Sequence, residues 1–170
     1  MTEFEFSRAV ATDRITRNAF CETIRANPGE LEAVASRLKI EAMASLNATF
    51  ELRYVVETGM FEVEGAAEAD LTEKCLVSGE AFSSHVTAPV HARFTTDPSL
   101  AEVFDPESLS EWDDPELIEN GSIDIGELAV QYIALTLDPY PVKPGVECPD
   151  TMEFGKPASP FAILQSLKNE

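Results

Sequence analysis

Residues 48–73 read ATFELRYVVETGMFEVEGAAEADLTE, and their alternation decides the fold. From 48 to 56, Ala48, Phe50, Leu52, Tyr54 and Val56 fall on one side, with Thr49, Glu51 and Arg53 opposite. Side chains of a strand alternate between faces, so this period of two marks a half-buried strand. After Glu57-Thr58-Gly59 the alternation resumes, with Phe61, Val63, Gly65, Ala67, Ala69 and Leu71 inward and Glu62, Glu64, Glu68 and Asp70 outward. Runs joined by so short a Gly-containing turn pair antiparallel, because a parallel crossover needs about a dozen residues or more.

Outward from this hairpin, residues 84–94 place Val86, Ala88, Val90, Ala92 and Phe94 inward and His85, Thr87, His91 and Arg93 outward. Pro89 within that run predicts an edge position or a bulge. Residues 20–25 predict a short strand. Asn27-Pro28-Gly29-Glu30 then opens a helix, with Asn as N-cap, Pro first and Glu third. Leu31, Val34, Ala35 and Leu38 give it one apolar face. A second helix starts at Asp124, with Glu127 three residues on and Leu128, Tyr132 and Leu135 as its apolar face, and stops at Asp138-Pro139. A third is expected at 160–168, capped by Ser159, with Phe161, Leu164 and Leu167 packing. Helices segregated from hairpins predict an α+β fold: an antiparallel β-sheet with flanking helices and a long acidic loop.

That loop comes from the charge distribution. The 170 residues carry 12 Lys+Arg against 31 Asp+Glu, a formal charge of −19. Residues 94–142 hold 12 acids and no base. Three Asp-Pro steps between 97 and 115 argue against regular structure, so about 95–121 is expected to be an acidic surface loop or partly disordered insertion. The nine acids of 97–119 repel one another, and that segment is expected to be removable without loss of the fold. A phosphate backbone is held by Lys and Arg displacing counterions, so this charge disfavours nucleic acid and anionic membranes alike. No apolar stretch approaches the roughly 20 residues of a membrane helix, and no leader pattern opens the chain, which predicts a cytoplasmic protein.

Candidate chemistry is sparse. His85 and His91 lie roughly 20 Å apart along one strand face, too far to share a metal. Cys21, Cys75 and Cys148 show no paired ligand spacing, so neither a metal nor another cofactor is expected. Cys75 has only Lys74 as a basic neighbour, on the opposite strand face, and reads as a buried small hydrophobe. No phosphate-binding glycine loop, zinc-protease motif or nucleophile elbow occurs, and no catalytic residue is assigned. Trp112, in SEWDDPELIE, either covers the edge of the core or anchors a basic partner, tryptophan being enriched at interface hot spots. Phe104, Asp105, Trp112, Asp113, Asp114, Glu116 and Leu117 are the partner-binding candidates.

The helix NPGELEAVASRLKI comes first, then GMFEVEGAAEADLTEKCLVSGEAF, HVTAPVHARFT and an acidic spacer. SIDIGELAVQYIALTLDPYPVKPG and PFAILQSLK follow. This order resembles the YceD-like large-ribosomal-RNA-subunit accumulation proteins, a domain of unknown function, in their alphaproteobacterial form. The resemblance runs from about 15 to 168 and implies a single domain over 1–170. Its most specific positions are Cys75 with Glu80, Asp124 with Gly126, Glu127 and Leu128, and Pro139 with Pro141. Val77-Ser78-Gly79-Glu80-Ala81 departs from the family's usual V-T-L-E-P, and Val142-Lys143 stands where an Arg is common.

The resemblance implies a bacterial factor needed for accumulation of large-subunit ribosomal RNA, with no established catalytic residue. Joined to the charge, it predicts a non-enzymatic ribosome biogenesis factor that binds a basic ribosomal protein or a pre-ribosomal particle. Direct binding of ribosomal RNA is the alternative, and an RNA-processing hydrolase is a third reading without a supporting motif.

Overall fold

The computed structural model describes residues 4–101 and 115–146. In chain order these form β1 (Ala9–Ala11), β2 (Phe20–Arg25), α1 (Pro28–Leu38), β3 (Ala42–Val55), β4 (Met60–Lys74) and β5 (Ala81–Thr95). Then come the helical turn α2 (Pro98–Ala101), β6 (Glu116–Leu117), β7 (Ser122–Asp124) and α3 (Ile125–Thr136). The main sheet has the order β2-β3-β4-β5-β6, and β1 pairs with β7 in a separate two-stranded ribbon. Every pairing is antiparallel except β5 with β6, which is parallel and joins Phe94 to Glu116 and Thr95 to Leu117. The fold is α+β, as the periodicities require. Among the described residues no helix is long and apolar enough to cross a membrane.

The β3–β4 hairpin forms antiparallel as expected, with Tyr54 opposite Phe61 and Leu52 opposite Val63. The Tyr54 and Phe61 rings lie 4.9 Å apart and tilted, an aromatic cross-strand pair next to the turn. Gly59 takes the left-handed conformation there, and its N–H donates to the Val55 carbonyl at 2.9 Å. Val56 belongs to this turn and is exposed, not inward as strand alternation suggested. At its other end β3 reaches back to Ala42 through a bulge between Met43 and Ser45. The extra residue resets the phase, so Met43 and Leu46, three apart, both face the core.

Phe50, Leu52, Val63, Ala67, Ala69, Ala88 and Val90 make the inner face of the sheet, all at most 2% exposed. Alanine at 48, 67, 69 and 88 keeps that face low where the helices lie on it. α1 presents Val34 and Ala35, and α3 presents Ile125, Ala129, Val130 and Ile133. Burying each large aliphatic or aromatic side chain contributes about 1.5–3 kcal/mol, so this layer dominates stability.

The Asn27 capping box is complete: the Asn27 side chain accepts from the Glu30 N–H at 3.0 Å and Glu30 accepts from the Asn27 N–H at 2.8 Å. At α3 only half of the expected box forms. Asp124 caps the helix, but Glu127 turns away from it. Leu135 is 81% exposed and leaves the apolar face, which Ile133 completes instead. Pro89 sits where the far side of β5 has no partner among the described residues before Phe94, the edge position its missing N–H requires.

The acidic loop is shorter than the charge pattern suggested. Residues 98–101 are helical, 116–117 join the sheet, and the Ile118 N–H donates to the Thr95 carbonyl at 2.7 Å. A deletion of 97–119 would therefore remove part of the sheet. Residues 102–114 and the helix expected at 160–168 lie outside the described residues.

Candidate functional site

The N-terminal segment and the start of α3 are built around one carboxylate. Asp124 accepts the N–H groups of Gly126 and Glu127 at 3.0 and 3.1 Å, the Arg8 N–H at 2.8 Å and the Ser7 hydroxyl. An acid at a helix N-terminus satisfies donors that the helix leaves unpaired and is favoured by the helix dipole. Gly126 is required by the same crossing. A Cβ there would stand 2.5 Å from the Phe6 carbonyl oxygen and 2.9 Å from the Arg8 nitrogen. Leu128 is buried beneath. Glu127, 5% exposed, receives Arg37 bidentately with both contacts at 2.7 Å, and Gln131 adds a third at 3.2 Å. Asp124, Gly126, Glu127 and Leu128 thus clamp the N-terminus and α1 onto α3.

Beside this clamp opens a cleft of about 400 Å³ between β6, β7 and α3. Phe94, Leu117, Ile118 and Leu128 supply apolar wall, and Glu116, Glu119, Asp124 and Glu127 supply carboxylates; no Lys or Arg lines it. Two of the partner-binding candidates, Glu116 and Leu117, meet the motif residues Asp124, Glu127 and Leu128 here. Both are exposed. Phe104, Asp105, Trp112, Asp113 and Asp114 lie outside the described residues, in the chain that leads into β6. Ser7, Phe4 and Gln131 also line the cleft and carried no sequence signal.

Cys75, Glu80 and Pro141 meet at the opposite end of β4. The β4–β5 turn closes through the Cys75 N–H to the Glu80 carbonyl and the Gly79 N–H to the Cys75 carbonyl, both at 2.9 Å. The segment after α3 straps across it. The Leu76 N–H donates to the Pro141 carbonyl at 2.9 Å, and the Lys143 ammonium pairs with Glu80 at 2.8 Å. Cys75 is 1% exposed, yet it is more than a small hydrophobe: its Sγ accepts the Lys143 N–H at 3.3 Å and the Ser78 N–H at 3.4 Å. The Lys143 amide first, then Ser78, draws the thiol down to about 7. Neither Lys74 nor the Lys143 ammonium is responsible; the donors are the Lys143 amide and Ser78.

A thiol whose pKa is lowered by folding adds stability as pH rises from about 7 towards its ordinary value of 9.0, and adds none in acid. Cys75→Ala is therefore expected to lose more, relative to wild type, at about pH 9 than at about pH 6. Denaturant midpoints of both proteins across that range test this, and a gap independent of pH would exclude thiolate stabilisation.

Four of the ten described Lys and Arg side chains are paired with carboxylates. Arg8 grips Glu30 at 2.8 and 3.0 Å, holding that carboxyl below its usual range. Arg37 joins Glu127 and Glu5, and Arg53 joins Glu62 at 2.7 Å and Glu64 at 3.3 Å. His85 pairs with Asp70 at 2.8 Å, and the His91 carbonyl accepts the Tyr132 hydroxyl. No group of three or more His, Cys, Asp or Glu among the described residues could hold a metal ion.

No family model, curated protein or solved structure matches this chain.

Proposed function

We propose that this chain is a non-enzymatic factor of bacterial ribosome biogenesis that supports accumulation of large-subunit ribosomal RNA by binding a basic ribosomal protein. The observation that carries the reading is the cleft: two exposed carboxylates, Glu116 and Glu119, beside an apolar wall with no Lys or Arg lining it. The cleft is continuous in sequence with residues 102–114, which add six acids and no base. A Lys- or Arg-rich segment, with its aliphatic stems on Leu117 and Ile118, is the complementary ligand. The resemblance to the YceD-like family supplies the ribosomal context. Direct RNA binding is the weaker alternative, since a net charge of −19 opposes a phosphate backbone and four of the ten described Lys and Arg side chains are already held by carboxylates.

The test uses the full chain against a small basic large-subunit ribosomal protein and, separately, against large-subunit ribosomal RNA. Glu116→Gln with Glu119→Gln is expected to slow association with the basic protein roughly fivefold at low salt and to flatten its salt dependence. Replacing 102–114 by a Gly/Ser linker, which spares β6, is expected to do the same without unfolding the sheet. Tighter binding to RNA than to the basic protein at physiological salt would decide for the alternative.

A further inference from the structure

Large apolar side chains are exposed at one end of the molecule. Leu76 is 60% exposed, Val77 40%, Tyr140 71% and Val142 36%. They are neighbours by construction: Val77 and Val142 each precede a residue whose N–H binds Cys75 Sγ, and Leu76 and Pro141 share a backbone hydrogen bond. Alongside runs a groove of about 410 Å³ whose apolar wall includes Leu38, Ile40, Leu76, Leu137, Pro139 and Pro141. Nothing among the acids of the proposed partner site lies here.

We infer that this groove is the docking site of the chain's own segment 159–168, SPFAILQSLK. The described chain leaves the strap at Val146, whose N–H still bonds the Lys143 carbonyl. Twelve residues, 147–158, separate that point from Ser159. Such a linker spans roughly 20 Å as a flexible coil, enough to reach a groove that starts at Pro141. Phe161, Leu164 and Leu167 recur at a spacing of three, the anchor pattern of an amphipathic helix laid in an apolar groove. Residues 154–169 carry two lysines and no acid, in a chain of −19. The groove answers with Glu41, Glu73 and Asp138 against Lys39 and Lys74. Tethering decides between this occupant and a second copy. A short linker holds its segment at an effective concentration of about millimolar, far above any micromolar concentration of free chains.

Hydrogen–deuterium exchange of the full chain tests the inference, independently of any basic partner. Amides of 161–168 are expected to exchange at least about tenfold more slowly than in a Leu164→Asp chain. Leu76→Asp and Tyr140→Asp, both in exposed positions, are expected to abolish that protection while β3 and β4 peptides stay protected as in wild type. Absence of protection in the wild type overturns the inference, as does protection that survives both Leu76→Asp in the groove wall and Tyr140→Asp beside it. Protection that grows with chain concentration, with a doubled mass in light scattering, assigns the groove to a second copy instead and overturns it too.

Discussion

Gly65→Ala is expected to destabilise the protein by about 3 kcal/mol or more, a large part of the 5–15 kcal/mol that holds a domain together. Gly65 lies opposite Phe50 in the β3–β4 ladder. A Cβ there would stand 2.1 Å from the Thr49 carbonyl oxygen and 3.0 Å from the Phe50 Cα. Both are backbone atoms of an interior strand, which cannot rotate away as a side chain does. Relief requires parting the ladder over the most buried part of the core, beyond the 1–3 kcal/mol of ordinary overpacking. Gly79→Ala is the control. It has a positive φ of 73° but nothing within 4 Å of the added carbon, so only backbone strain of about 1 kcal/mol applies. Urea midpoints of the two variants measure the difference. A Gly65→Ala protein within about 1 kcal/mol of wild type would show that β4 approaches β3 less closely than described.

Arg37→Ala is expected to cost about 2–3 kcal/mol, less than a fully buried pair because the arginine remains about a third exposed. The loss falls mainly on Glu127, whose side chain is 7% exposed and would keep only Gln131 of its side-chain partners. Glu5 loses its arginine as well, but in a more exposed setting. Because Glu127 sits on α3 and Arg37 on α1, the pair ties the two helices that cover the sheet. A double-mutant cycle with Glu127→Ala isolates the coupling, expected above about 1 kcal/mol. A coupling near zero would place this pair with ordinary surface ion pairs and leave the clamp to Asp124 and Gly126.

Much of the fold was legible because it is written locally. The period of two in 48–73 reflects alternation of neighbouring side chains, and the Asn27 box reflects donors and acceptors three residues apart. Neither needs distant information. The outlines of β5 and α3 followed for the same reason, with Pro89 at an edge. The errors have physical causes too. The bulge at Met43/Ser45 breaks the alternation, so the period of two marks β3 only from Ala48, although the strand starts at Ala42. β1 and β6, three and two residues long, are too short to show any period. Leu135 fits an apolar helical face by spacing, yet nothing among the described residues covers it.

The candidate site divides in the same way. Sequence alone determined that the negative charge is concentrated in 94–142, a balance that disfavours a phosphate backbone, and that Asp124 and Glu127 open a helix. Their partners were decided only in three dimensions. Glu127 finds Arg37 across 90 residues and Cys75 finds Lys143 across 68. Glu116 and Leu117 reach the motif residues of α3 because a two-residue parallel strand adds to β5. Spacing along the chain reports only what lies within a turn or one pleat, and side chains so far apart meet only where packing of the whole core brings their elements together.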